Sequence, residues 1–269
     1  MKKVILLSSL FFAMLSFGQT TESVAELIKK QQDIISEECL KNCAEKYNYV
    51  VNMKEWQKCL DSGLEKDSTI AYLWQQKAMP YFKVRKYEIG MAFLDKAVEY
   101  DKKEWLPYRA FMKCIFVKSY KDAIVDFEEC INLYGNGYRM DHTYNFYIGL
   151  CYLQLNEFAK AEKLFKEYNE ELFKNRQGLE HPTALFYYGI SKYEQDQFEE
   201  AISLFDKALK IYPNLSDAKY YKAICLYKLG KKEEANKLLE EAKKEPKDNY
   251  FINEDNAVYE TYPYQVRWK

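Results

Sequence analysis

Small and aromatic residues recur along the middle of the chain with a helical period, and they do so several times. In residues 197–214, QFEEAISLFDKALKIYPN, Ala201 stands four positions before Phe205 and seven before Ala208, which places the three on one face of a helix. The same order returns as Ala161 and Phe165, as Ala123, Phe127 and Cys130, as Gly90, Leu94 and Ala97, and as Ala235, Leu239 and Ala242. The anchors 90, 123, 161, 201 and 235 are 33, 38, 40 and 34 residues apart. Two spacings are nearly a fixed period and two carry insertions, so the pattern predicts an internal repeat. Twelve residues before the anchors stand Ala78, Phe111, Gly149, Gly189 and Ala223, a mainly small series that predicts a partner helix in each unit.

Small residues on both helices let the backbones approach, and the aromatic residues fill the space between neighbouring units. The insertions fall in YGNGYRMDH (134–142) and NEELFKNRQGLEHP (169–182), at the turns that follow the second and third anchored helices; the latter insertion begins with helix-forming residues. Residues 22–70 are helical in character but lack the A-x3-F signature, as expected of a solvent-facing cap at the end of an array, with or without a degenerate repeat.

The unit resembles the tetratricopeptide repeat, a helix-turn-helix of about 34 residues with the pattern W-x2-L-G-x2-Y, then A-x3-F, then P. Residues 182–215 match it with Gly189, Phe198, Ala201, Phe205, Ala208 and Pro213, but hold Lys192 where the first-helix Tyr belongs. Trp74, Ala78 and Tyr81 match the opening of another copy, and Gly149 with Tyr152 match a third. The resemblance implies an all-α chain, a right-handed superhelical solenoid of about five repeats over residues 71–249, preceded by a cap over 19–70. It also implies a non-catalytic role, with a protein or peptide partner held on the concave surface.

Composition agrees with long helices: glycine (9) and proline (6) are scarce in 269 residues. Lys2 and Lys3 precede an uncharged, mostly apolar run from Val4 to Phe17 and the small-x-small triplet Ser16-Phe17-Gly18, which reads as an export signal over residues 1–18. The run is shorter than the ~18 residues a membrane span requires, so cleavage is favoured over an uncleaved anchor. A periplasmic or secreted protein is the expectation, with no transmembrane segment after cleavage. Removing the signal changes the net charge from -1 to -1 - 2 = -3. No basic stripe offers phosphate neutralisation, and nucleic acid is not an expected partner.

Metal-hydrolase, acyl-transfer and nucleotide-binding signatures such as H-E-x-x-H, G-x-S-x-G and G-x-x-x-x-G-K-[ST] are absent, so no catalytic, cofactor-binding or metal site is assigned. His142 and His181 lie beside the insertions and read as surface loop residues. Cys114, Cys130, Cys151 and Cys225 fall within the repeat pattern and read as buried thiols. In the cap, Cys59 can pair with Cys39 or with Cys43, which are one helical turn apart.

Placing first-helix residues on the groove side, by the resemblance, gives two stripes. Tyr108, Phe146, Phe186 and Tyr220 form one, and Phe82, Leu153, Tyr193 and Tyr227 the other. Family members that clamp a partner's C-terminal carboxylates use Lys, Asn and Arg there, whereas an aromatic stripe suits an extended peptide or another apolar segment. Packing of part of the stripe between adjacent first helices is the alternative. The last twenty residues carry Tyr250, Phe251, Tyr259, Tyr262, Tyr264 and Trp268. That composition is unusual for a disordered tail, and predicts that residues 250–269 pack on the final repeat or into the groove. A structural subunit of a larger envelope assembly is the alternative function; an enzyme without a recognisable motif is the remote one.

Overall fold

The computed structural model describes residues 23–175, 178, 180–244, 252, 254 and 256–268. The expected export signal lies outside the described residues, as do Tyr250 and Phe251. Among the described residues no helix is long and apolar enough to cross a membrane. The chain divides into two compact units, one ending at Lys102 and the other beginning at Lys103.

The first unit opens with α1 (23–39), a 3-10 turn (Ala44–Lys46) and α2 (Met53–Lys66). Ile35, Cys39, Leu40, Trp56, Leu60 and Leu64 close a small core between them. Gly63 lets the two helices meet, since a Cβ there would lie 2.7 Å from Cys39 Sγ. A disulfide joins Cys43 in the turn to Cys59 on α2, while Cys39 stays a buried thiol. The unit ends with the hairpin of α3 (Ala71–Lys83) and α4 (Tyr87–Tyr100), which pack on each other.

The second unit continues with α5 (Lys102–Met112), extended by a π-helical turn (Lys113–Val117), and α6 (Tyr120–Tyr134). Next come α7 (Tyr144–Gln154) with α8 (Phe158–Asn175), α9 (Pro182–Tyr193) with α10 (Phe198–Ile211), and α11 (Ser216–Lys228) with α12 (Lys232–Ala242). The partners of each of these three later hairpins pack together, and successive hairpins meet through α6–α7, α8–α9 and α10–α11. The fold is all-α, an array of helix-turn-helix units.

The anchors all sit buried near the start of the second helix of a hairpin: Gly90 on α4, Ala123 on α6, Ala161 on α8, Ala201 on α10 and Ala235 on α12. Five residues ahead of each, the backbone turns left-handed, at Arg85, Lys118, Asn156, Asp196 and Gly230, with φ between 56° and 80°. A reversal of that kind between two packed helices uses one left-handed residue to stop the first helix. The close approach predicted for the small residues is met ring against glycine. A Cβ on Gly149 would fall 2.9 Å from Phe165, and one on Gly189 would fall 2.6 Å from Phe205. In the α3–α4 hairpin the arrangement is inverted: the glycine is Gly90 on the second helix, and the ring is Phe82 on the first.

The insertion at 134–142 folds into a two-stranded turn, β1 (Tyr138–Arg139) against β2 (His142–Thr143), and the Tyr147 hydroxyl donates to the Arg139 carbonyl at 2.9 Å. Thr143 then caps α7 by accepting from Phe146 N–H. This overturns the expectation of a surface histidine, because His142 is 0% exposed. The insertion after 169 starts as helix, carrying α8 on to Asn175.

Candidate functional site

In the second unit the C-terminal segment lies against the first helices of the hairpins, and its contacts define the site. Lys118, the left-handed residue after the π-helical turn, donates from Nζ to the Thr261 carbonyl at 2.7 Å. The Tyr187 hydroxyl on α9 donates to the Pro263 carbonyl at 2.9 Å. At the start of α11, the buried Asp217 carboxylate accepts from two segment amides, Ile252 N–H at 2.8 Å and Val266 N–H at 2.6 Å. Its neighbour Ser216 accepts from the Trp268 indole N–H at 2.9 Å. Gln265 reaches back to the Ile252 carbonyl and accepts from Tyr262 N–H, holding the two runs of the segment together.

Four side chains of the segment add to these bonds. Tyr262 is 2% exposed. Tyr264 meets Tyr221 edge to face at 5.8 Å, and Trp268 meets Tyr220 at 5.5 Å. Glu254 enters a polar well: His142 Nε2–H donates to it at 3.0 Å, Thr183 bonds it as well, and His142 Nδ1 lies 2.9 Å from the Tyr168 hydroxyl. The His142 ring is held flat on Phe146, with 3.7 Å between centroids.

Burial acts on these groups in opposite ways. For Asp217, loss of water raises the carboxyl against the pull of its N–H donors, and it is pushed up to about 6. For Glu254, burial also works upward, but the His142 hydrogen bond and electrostatics, with help from Thr183 and His181, outweigh it and hold the carboxyl below its ordinary value. The Tyr187 and Tyr147 phenols are raised by burial. The Tyr264 phenol is raised by burial and by its hydrogen bond to Glu194.

The eight residues expected to line a groove are divided by the structure. Phe82, Tyr108, Phe146, Leu153 and Phe186 are buried core residues, which corrects their placement on an open face. Phe146 and Phe186 pack between repeats, against Phe165 and Tyr187 and against Phe205 and Tyr221 respectively. Tyr193 and Tyr220 are half-buried, and Tyr227 is 55% exposed beside Lys232. Apart from Tyr220, the residues that bond or stack with the segment stand one position later, at Tyr187 and Tyr221, or at and beside helix ends, at Lys118, His142, Thr183, Glu194, Ser216 and Asp217. One residue is a 100° rotation on a helix, enough to exchange the inter-helix core for the outer face. Because aromatic residues sit side by side at 186–187 and 220–221, composition did not discriminate between the two positions. Among the described residues no His, Cys, Asp and Glu cluster is arranged to hold a metal ion.

Two family models, each described as tetratricopeptide repeat, match residues 167–216 and 192–251. A tetratricopeptide repeat protein from Parabacteroides merdae has a similar crystal structure, with a TM-score of 0.63 and 15% identity over 80% of each chain. PilW, a type IV pilus biogenesis factor, gives a TM-score of 0.58 and 16% identity over 81% of this chain and 93% of its own. YrrB, a TPR protein with an unusual peptide-binding site, gives 0.50 and 21% identity over 71% of this chain and 93% of its own. No curated protein sequence matches the chain. The hairpins and their left-handed turns agree with these matches: residues 167–251 match the tetratricopeptide repeat, and the chain folds as an array of helix-turn-helix units like those of the tetratricopeptide repeat structures.

Proposed function

We propose that the protein is a non-catalytic interaction scaffold of the bacterial cell envelope, which holds an extended polypeptide on the first-helix face of its second unit. The observation that carries this reading is the way that face treats the chain's own C-terminal segment: it bonds main-chain amides and carbonyls through Lys118, Tyr187 and Asp217 and receives aromatic side chains between them. Main-chain bonding with side-chain wells is how extended peptides are recognised. The half-buried Tyr193 and exposed Tyr227 remain candidate contacts on that face, while Tyr108, Phe146, Leu153 and Phe186 support it from within. YrrB, with its peptide-binding site, and PilW, in pilus biogenesis, are consistent with such a role. Export is supported by the basic and apolar start of the sequence and by the Cys43–Cys59 disulfide, which suits an oxidising compartment.

A photocrosslinking residue at Tyr193 or Tyr227 is expected to capture a discrete envelope protein in cells, whereas one at Val125, exposed on the second helix α6, is not. Equal capture from both faces, or none from either, would sink the proposal. The alternative of a structural subunit is favoured by one feature, the exposed Val24, Leu27 and Ile28 on a single face of α1. A crosslinker at Leu27 that captured a stoichiometric neighbour would support it.

A further inference from the structure

The contacts of residues 252–268 are those of a docked ligand. The segment is non-helical where described, and it touches the repeats at separate anchors: Glu254 in the His142 well, the Tyr262-Pro263-Tyr264 triplet on α9 and α11, and Trp268 on Ser216 and Tyr220. Between the first two anchors it turns out to solvent at Val258 and Tyr259, 87% and 37% exposed. The repeats, for their part, bury groups that the segment satisfies. Asp217 is 0% exposed, and the segment supplies an amide to each of its two oxygens. His142, also 0% exposed, gives its Nε2–H to the segment's Glu254. Buried polar groups are almost always bonded, so a face carrying them is built to be occupied.

We infer that residues 252–268 are a resident ligand and that the partner displacing them is an extended polypeptide of like chemistry: an acidic side chain ahead of an aromatic-proline-aromatic triplet and a closing tryptophan. This rests on the proposal that the first-helix face is the binding surface. Tethering gives the resident segment an effective concentration of order 1 mM, so a free competitor meets a face already filled. Binding then requires either a tighter segment or a loosened tail.

The test uses the full chain and a fluorescent synthetic peptide spanning residues 250–268. The variant Tyr264→Ala/Trp268→Ala removes two anchors from the tail and leaves the face intact; Val258→Ser, in the solvent-facing stretch, is the control. The double variant is expected to exchange the amides of 252–268 faster, to keep its helical circular dichroism, and to bind the peptide about ten-fold or more tighter than the unaltered chain or the control. A peptide with Gln in place of the residue corresponding to Glu254 is expected to lose most of that gain. Fast exchange without a gain in binding, unchanged exchange, or loss of helix in the double variant would each overturn the inference, making the segment part of the fold. A concentration-dependent dimer that the peptide dissolves would name a second copy as the occupant and overturn the foreign partner. Envelope crosslinks from Tyr193 with no gain in peptide binding would leave the scaffold standing and the resident ligand refuted. A gain without crosslinks would do the reverse.

Discussion

The two ends of the described chain are closed by different means. At the start, α1 and α2 surround an apolar core and a disulfide holds the turn to the second helix. At the finish, there is no covalent tie among the described residues; main-chain hydrogen bonds, a buried acid–imidazole contact and edge-on aromatic pairs hold the segment. Cysteine and aliphatic burial make a closure that is permanent under oxidising conditions. The contacts at the other end are of a kind that another extended chain can make, so under the proposed function closure and recognition would use the same groups there.

Between the ends, the repeats set the scale against which both should be measured. Phe205→Ala removes a 0%-exposed ring seated on Gly189 and is expected to cost about 3–5 kcal/mol in denaturant unfolding of the second unit. A midpoint that barely moves would contradict the packing of α9 on α10. Cys43→Ser opens a loop with a sequence separation of 16 and is expected to cost the first unit about 3 kcal/mol. A reductant should reproduce that loss while leaving amide protection of 252–268 unchanged; a reductant that loosened both ends would erase the contrast.

The third expectation concerns pH. Asp217 has its carboxyl raised in the folded chain from 3.8 to about 6, so its stabilising contribution is complete below about 3.8 and is lost as pH rises through about 6. Glu254 is shifted downward and acts in the opposite sense: its contribution is present above 4.5 and is lost only in stronger acid. Between about pH 4 and 7 the Asp217 shift therefore lowers the stability of the second unit against unfolding as pH rises, by up to about 3 kcal/mol. Asp217→Asn should flatten that slope in amide exchange; an unchanged slope would transfer the effect to another group. The smallest effect is conformational. A Cβ on Gly230 would meet nothing within 4 Å, so Gly230→Ala should cost only the ~1 kcal/mol of a left-handed alanine, measured as a small shift in melting.

Much of the array was legible because its signal is periodic and buried. The pairs Ala161 with Phe165 and Ala201 with Phe205 are all 0% exposed, and a small residue followed by a ring at four positions has few other uses. The turns were illegible for the opposite reason. Arg85, Lys118, Asn156, Asp196 and Gly230 share a backbone conformation and no side-chain chemistry. Of the candidate site, Tyr220 was among the residues expected and meets Trp268, whereas Tyr187, Tyr221 and the contacts at helix ends were not expected. Adjacent aromatics at 186–187 and 220–221 hid which member meets the segment, and the hydrogen-bond partners of the buried His142, Tyr168 and Glu254, are 26 and 112 positions away.

The inverted contact in the α3–α4 hairpin bears on modularity. Repeats of this type invite recombination, one second helix being exchanged for another. Here α10 offers Ala201 where α4 has Gly90, and a Cβ at position 90 would come within 3.1 Å of the Phe82 ring. The first hairpin is thus a matched pair: a shuffled library that separates α3 from α4 asks the Phe82 ring to give by a few tenths of an ångström before an alanine fits at position 90.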